Sequence, residues 1–452
     1  MDKETLSNYG WIVICILVLS VMIALATPFG SFVSGAVKST AEGLFDVNSS
    51  ALEAVGIVTG DQSFNKDKNG TITLMAGETY AVSGAQEQPI TVKGNGTLKL
   101  EDVVVEATDG PALIVESGTV KVVVNNNTTL EGGVGSDGIY VAAGAKLELT
   151  GSGHLVAIGN GGNDAGGAAV AMLTADNEGG SGIGGAGEIY IHDLANLTAE
   201  GYGYHACGIG GVSKNITIVN TTITTVRGGY VQPLFVNDTK YGKSEPEGGA
   251  AIGSFTDGAV ITLRNVKIGN ALGGSKAAGI GACYWTGVTI NIDGCTIDNV
   301  EGGNASAGIG GSRVASGATR ADDVIININN STIKATGGQY AAGIGGGYDT
   351  YCRTMTDATP ICTINIKGNS VITAQGGQYA AGIGTGFHNA ALAGNIESTV
   401  TVNATSGTKF YKDTYTQAQN IGFGVVDPAR EGKDNNCSIT YNGTVIAIPE
   451  VQ

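Results

Sequence analysis

The sequence predicts an all-β fold: a single-stranded, right-handed parallel β-helix, a solenoid of about a dozen coils, behind an N-terminal transmembrane and amphipathic helix. Three observations predict it. A unit centred on Gly-Ile-Gly or Ala-Ile-Gly recurs, with isoleucines at Ile183, Ile209, Ile252, Ile280, Ile309, Ile344 and Ile383 and a looser copy at Ile421. Strands of the form Ile-x-Ile begin at Ile189, Ile216, Ile261, Ile290, Ile326 and Ile364, and a turn glycine follows each at a step of 12 residues in five cases and 11 in one. Glycine supplies 74 of the 452 residues with no Gly-X-Y register, which excludes collagen and calls for many tight turns.

The N-terminal segment comes first. No charge occurs between Leu6 and Val37, and WIVICILVLSVMIALA at 11–26 is almost wholly apolar. Extended through Phe32, the run is long enough to cross a hydrocarbon core of ~30 Å as a helix. Residues 1–33 therefore read as a transmembrane anchor. Ala24-Leu25-Ala26 also fits a signal-peptide cleavage site, but the leading MDKET lacks the basic excess of a signal n-region. Residues 34–66 read as a juxtamembrane amphipathic stem. Val33, Ala36, Val37, Ala41, Leu44 and Phe45 share one helical stripe, and Ser50 to Glu53 forms a capping box. The expected location is the cell membrane, single-pass, with an extracellular ectodomain at 67–452. An apolar helix running into an amphipathic one also suits a pilin-like packing stem, although no basic-Gly processing motif precedes it.

From residue 67 the pattern changes to short β-runs between glycines. ITV at 90–92, LIV at 113–115 and IYV at 139–141 recur every 23 to 26 residues. In the later units, the gap from turn glycine to next central isoleucine is 7 or 8 residues, with one exception of 24. The gap from central isoleucine to next strand runs from 6 to 20. Parallel strands stacked ~4.8 Å apart require this inequality. An insertion inside a strand breaks register, whereas one at a corner costs only slowly growing closure entropy. In Ile326-Asn-Ile328 and Ile364-Asn-Ile366 the apolar positions alternate with polar ones, so one face fills the core. The stem is expected to cap one end and the stretch after Ile421 the other.

GGQYAAGIG stands unchanged at 337–345 and 376–384. It resembles the repeats of glycine-rich bacterial surface proteins with β-helical, carbohydrate-binding-type units. The coil layout is similar to that of the pectate-lyase-like superfamily, over residues 67 to about 445. The resemblance implies an extracellular bacterial location and glycan binding, and it carries over no catalytic residue.

Charge and composition narrow the chemistry. With 24 Lys and Arg against 40 Asp and Glu, the net charge is −16, which repels phosphate and argues against nucleic acid as a partner. A glycosidase needs two carboxylates flanking the scissile bond. The sole Asp-Asp pair, Asp322-Asp323, lies in a loop with Arg313 and Arg320 and reads as a solvated corner. Four histidines occur, none at metal-ligand spacing, and His192 in IYIHD reads as an outward strand residue. GGVGSDGIY at 132–140 matches a calcium-binding repeat once, with an imperfect second copy at 159–164. Such sites form between tandem copies, so calcium is a weak expectation and no other cofactor is expected. Cys15 lies in the anchor. The six cysteines beyond it allow 15 pairings. Cys207 sits in a slot that holds Ala278, Ala307, Ala342 and Ala381 elsewhere, and reads as a small buried hydrophobe; Cys352 and Cys362 share one loop and are placed to bridge.

A candidate binding stripe lies on the loop-bearing side. Four residues past the central isoleucine of successive units stand Tyr284, Arg313, Tyr348 and Phe387, with Trp285, Tyr351 and His388 beside them. Aromatic faces suit the C–H faces of sugar rings, and a repeat of ~4.8 Å is close to the length of one sugar, so an extended polysaccharide or cell-surface glycan fits such a ladder. The alternative is a turn stack that only packs the loops. Tyr340 and Tyr379 share parity with Ala342/Ile344 and Ala381/Ile383 and are expected to point inward. The expected function is non-enzymatic adhesion or carbohydrate binding. Two alternatives stand beside it: a pilus-like or surface-layer subunit that self-assembles through the N-terminal helix, and a lyase or hydrolase of the pectate-lyase-like fold. Deleting residues 1–33 is expected to move the protein from the membrane pellet to the soluble fraction on cell fractionation.

Overall fold

The computed structural model describes residues 71–161, 180–229, 248–283, 286–313, 323–348, 361–386, 399–404, 409–411, 421–422, 436–441 and 444–445. The anchor and stem expected at 1–33 and 34–66 lie outside these. The described residues are all-β and contain no helix. Their strands stack in parallel, circuit upon circuit, in the manner of a β-solenoid. One circuit runs through a short strand at Ile280–Ala282, a second side at Val288–Asp293 and a third side at Thr296–Glu301. The next repeats it at Ile309–Gly310, Val324–Asn329 and Thr332–Thr336. Counted on the short side, the described residues form twelve such circuits.

Register follows the isoleucines. Ile252, Ile280, Ile309, Ile344, Ile383 and Ile421 pair directly, one circuit to the next. Isolated bridges extend the column through Ile209 to Ile183. It then continues through Ile139, Leu113 and Ile90, so the ITV, LIV and IYV runs occupy the same side as the later Gly-Ile-Gly units. On the second side Ile189, Ile216, Ile261, Ile290, Ile326 and Ile364 form another column; Ile223, Ile268, Ile297, Ile333 and Ile372 form a third on the last side. These columns are buried and meet in one core. Sequence spacing between second-side partners grows from 29 residues (Ala259 to Val288) to 36 (Val288 to Val324) and 38 (Val324 to Cys362) without loss of register. Extra length is therefore absorbed at the corner, as loop-closure entropy permits.

Two devices turn the chain. Between the second and third sides, Asp193, Asn220, Asn265, Gly294, Asn330 and Gly368 all adopt left-handed backbone, with φ from 45° to 63°. Asp, Asn and Gly tolerate that region best. The Asn220 Nδ2 donates to Asp193 Oδ1 at 2.9 Å, and Asn265 Nδ2 to Asn220 Oδ1 at 3.1 Å. The next residue of each circuit turns inward. There the Ser331 hydroxyl accepts the Cys295 N–H at 3.0 Å and the Ser370 hydroxyl accepts the Ser331 N–H at 3.3 Å. A buried N–H without a strand partner is thereby satisfied. On the outer surface of the second side, Asn403, Asn365 and Asn327 each donate through Nδ2 to the amide oxygen one circuit below, ending on Asn291, at 2.7–2.9 Å.

The other corner is built on glycine. A Cβ added to Gly274, Gly303, Gly338 or Gly377 would lie 1.7–1.9 Å from the carbonyl oxygen of the corresponding glycine one circuit earlier. Backbone rides on backbone here, so the Gly-Gly pairs answer a packing need as well as a turn need. The two described strands at Asn436–Tyr441 and Thr444–Val445 pair antiparallel, unlike every other ladder between named strands. Replacing Gly338 with Ala should lower stability by about 1–3 kcal/mol, since the stack must part to admit the methyl. Ala305, at φ 64° in the same corner, should tolerate Gly with the melting temperature level or raised. Thermal melts followed by circular dichroism check both.

Candidate functional site

Of the seven stripe residues, Arg313 and Tyr348 fall within the described set. Tyr284, Trp285, Tyr351, Phe387 and His388 lie outside it. The two described members meet: the Arg313 guanidinium lies 5.8 Å from the centre of the Tyr348 ring. The buried Ser306 hydroxyl accepts the Arg313 N–H at 3.0 Å, and Tyr348 N–H donates to the Ala305 carbonyl at 2.9 Å, which seats both on the glycine corner.

Tyr340 and Tyr379 join them. Tyr348 lies 5.2 Å from Tyr340, tilted by 39°, and Tyr340 stacks on Tyr379 at 6.1 Å with planes within 4°. All three rings are half-buried at the corner rather than part of the core. This corrects the inward placement expected from parity. Parity counts only along extended backbone. Tyr340 and Tyr379 have φ of 70° and 66°, so alternation is interrupted between the glycine pair and the Ala-Ala-Gly-Ile strand. The position itself imposes this backbone, because His205, Lys276 and Ala305 share it in other circuits. A β-substituted residue there costs about 1–3 kcal/mol unless its surroundings compensate. Tyrosine in two neighbouring circuits is thus chosen for its ring and not for its backbone preference.

A second polar feature lies on the opposite wall. His192 Nδ1 is 2.8 Å from Asp193 Oδ2, and its Nε2 is 3.2 Å from Glu148 Oε1. Lys121 Nζ reaches the same Glu148 oxygen at 3.2 Å, and Tyr190 stacks on the His192 ring at 4.7 Å. His192 is an outward strand residue, as its pattern predicts. Burial by itself would raise the Glu148 carboxyl, but the hydrogen bonds from His192 and Lys121 outweigh it and hold the group below its ordinary range. His192 and then Asn220 do the same for Asp193. The imidazole occupies the space between the two carboxylates that a glycosidic oxygen would need, so the array acts as a clasp between circuits.

An open groove of about 550 Å³ follows the asparagine corner near the N-terminal end of the described stack, lined by Asp102, Asn125, Asn126, His154 and Asn196 among others. Burial pushes the His154 imidazole below its ordinary range, and its Nε2 lies 3.4 Å from Thr198 Oγ1. No pattern along the chain marks this groove, because its walls come from residues up to 94 positions apart. Within the calcium-repeat match, Asp137 Oδ1 accepts the Ser181 N–H at 2.6 Å and so ties one circuit to the next. Among the described residues, no group of three or more His, Cys, Asp or Glu side chains is placed to hold a metal ion.

Comparison with known protein families, curated proteins and solved structures returns no match for this chain.

The clasp has a pH signature. Glu148 and Asp193 have depressed folded values, so their stabilisation is present above the unfolded values, ordinarily 4.5 and 3.8, and is lost as pH falls through the folded ones. The melting temperature should drop between about pH 5 and pH 3, and Glu148→Gln should flatten that drop. A pH series of thermal melts on both proteins checks it.

Proposed function

We propose that this protein is a bacterial cell-surface solenoid, wound right-handed and held to the membrane by residues 1–33, that binds extended glycans without transforming them. The binding face is the glycine corner that carries Arg313, Tyr340, Tyr348 and Tyr379. One observation supports this reading above the rest: parallel tyrosine rings are maintained in a backbone conformation that tyrosine disfavours. Side-chain chemistry is what such a position retains.

The ring spacing suits the proposed ligand. A ring is offered once per circuit, at a rise of ~4.8 Å, and successive sugars of an extended chain recur at a similar interval. The guanidinium beside Tyr348 adds a donor for hydroxyls or ring oxygens. A net charge of −16 favours neutral over acidic glycans. Tyr284 and Phe387 stand at the same sequence offset from Ile280 and Ile383 as Tyr348 from Ile344, and Trp285, Tyr351 and His388 flank them, so the proposed face extends to both sides of the described stack of rings.

The test is a glycan array probed with the wild-type chain and with Tyr340→Gly, Tyr348→Ala and Tyr379→Gly. Glycine relieves the left-handed backbone at 340 and 379, so those variants should melt at or above the wild-type temperature while affinity falls roughly tenfold or more. Unchanged array binding by the folded triple variant would overturn the reading.

A further inference from the structure

Cys207 and Cys283 are 76 residues apart in sequence, and their sulfur atoms lie 3.5 Å apart. Both side chains are fully buried. Cys207 stands two residues before Ile209, in the column of small residues continued by Ala250, Ala278 and Ala307. Its N–H donates to the Ser181 hydroxyl at 3.1 Å, which fixes its backbone. Cys283 stands just past the short strand Ile280–Ala282, where the chain folds back and bridges antiparallel to Ala277. That reversal aims its sulfur towards the earlier circuits, and the Ala250 N–H points at it from 3.2 Å. The two sulfurs meet in an apolar box formed with Ala250, Phe255 and Ala277, separate from the main core.

We propose that Cys207 and Cys283 form a disulfide. A disulfide needs sulfurs ~2.05 Å apart, so these must approach by about 1.5 Å, a distance that small side-chain rotations cover. Cys207 belongs to the Ile209 circuit and Cys283 to the Ile280 circuit. The circuit between them contains the one gap of 24 residues from turn glycine to central isoleucine. The bond would staple the circuits on either side of that insertion and hold their register. It does not rest on the glycan reading.

The chemistry balances simply. Two S–H bonds break and one S–S bond forms. Two protons pass to solvent. Two electrons pass to a disulfide donor of the glutathione or dithiol-exchange class, which is reduced to two thiols. Since both sulfurs are buried once the stack closes, the exchange takes place during folding.

The experiment refolds the full chain, in detergent, in a buffer of reduced and oxidised glutathione. The product is denatured, alkylated, digested and weighed. The expected result is a peptide pair joined through Cys207 and Cys283, about 2 Da lighter than the two thiol peptides together. Recovery of both peptides alkylated, or joined to any other cysteine, overturns the proposal. A second measurement guards against a folding artefact. Cys207→Ala places in this circuit the residue that the column holds elsewhere, so its fold is retained. Reductant should lower the melting temperature of the oxidised wild type by several degrees and leave that of Cys207→Ala unchanged. An equal reductant shift in both overturns the proposal as well.

Discussion

Everything in this molecule depends on one distance, the ~4.8 Å between a strand and its parallel neighbour one circuit away. Hydrogen bonding fixes it on the three sides, and the corners must then obey it. A corner that climbs by more or less than one strand spacing would pull the next circuit out of register. The glycine column is the clearest result of this constraint. Where Gly274, Gly303, Gly338 and Gly377 pass over one another, the backbones come so close that no side chain fits between them. The asparagine corner solves the same problem with side chains, which hydrogen-bond up and down the stack and replace contacts that the bent backbone cannot make.

The same constraint sorts the surface. Residues at equal offsets become vertical neighbours, so a sequence choice repeated in two units becomes a contact in space. Tyr340 and Tyr379 stack for this reason, although 39 positions separate them. Glu148 and His192 meet across 44 positions by the same rule. The wall that bears the clasp of Lys121, Glu148, His192 and Asp193 is tied together by charge, and the corner that bears the tyrosines is tied by rings and a guanidinium. Binding is assigned to the second because aromatic faces hold sugars, whereas the charges on the first already satisfy one another.

The fold was legible wherever repetition was literal. The isoleucine columns and the constant 12-residue step specify stacking before any coordinates are known, and Ile290, Ile326 and Ile364 fall where that step puts them. The early circuits were less plain, because ITV, LIV and IYV share a side with Gly-Ile-Gly but not its letters. The left-handed asparagine corner left no readable trace. Asn220, Asn265 and Asn330 are ordinary polar residues between apolar ones until their backbone is known. Part of the stripe was also legible, in the offset that unites Arg313 with Tyr348. The link to Tyr340 and Tyr379 was not, since a single left-handed residue defeats the alternation by which a face is counted. The fold-back that turns Cys283 towards Cys207 is likewise a matter of chain path and not of spacing.

The amide column on the second side has a further implication. From Asn403 through Asn365 and Asn327 to Asn291, every NH₂ group gives to the oxygen below, and none gives upward. The amides thus form a polarised wire, in which each bond strengthens the next by aligning its dipole. Turning one amide over would set two donors, then two acceptors, face to face, so the members can reverse only together. The outside of the stack accordingly carries an electrical direction, with open carbonyl lone pairs towards one terminus and spare amide hydrogens towards the other, and anything that docks along this wall would meet two chemically different ends.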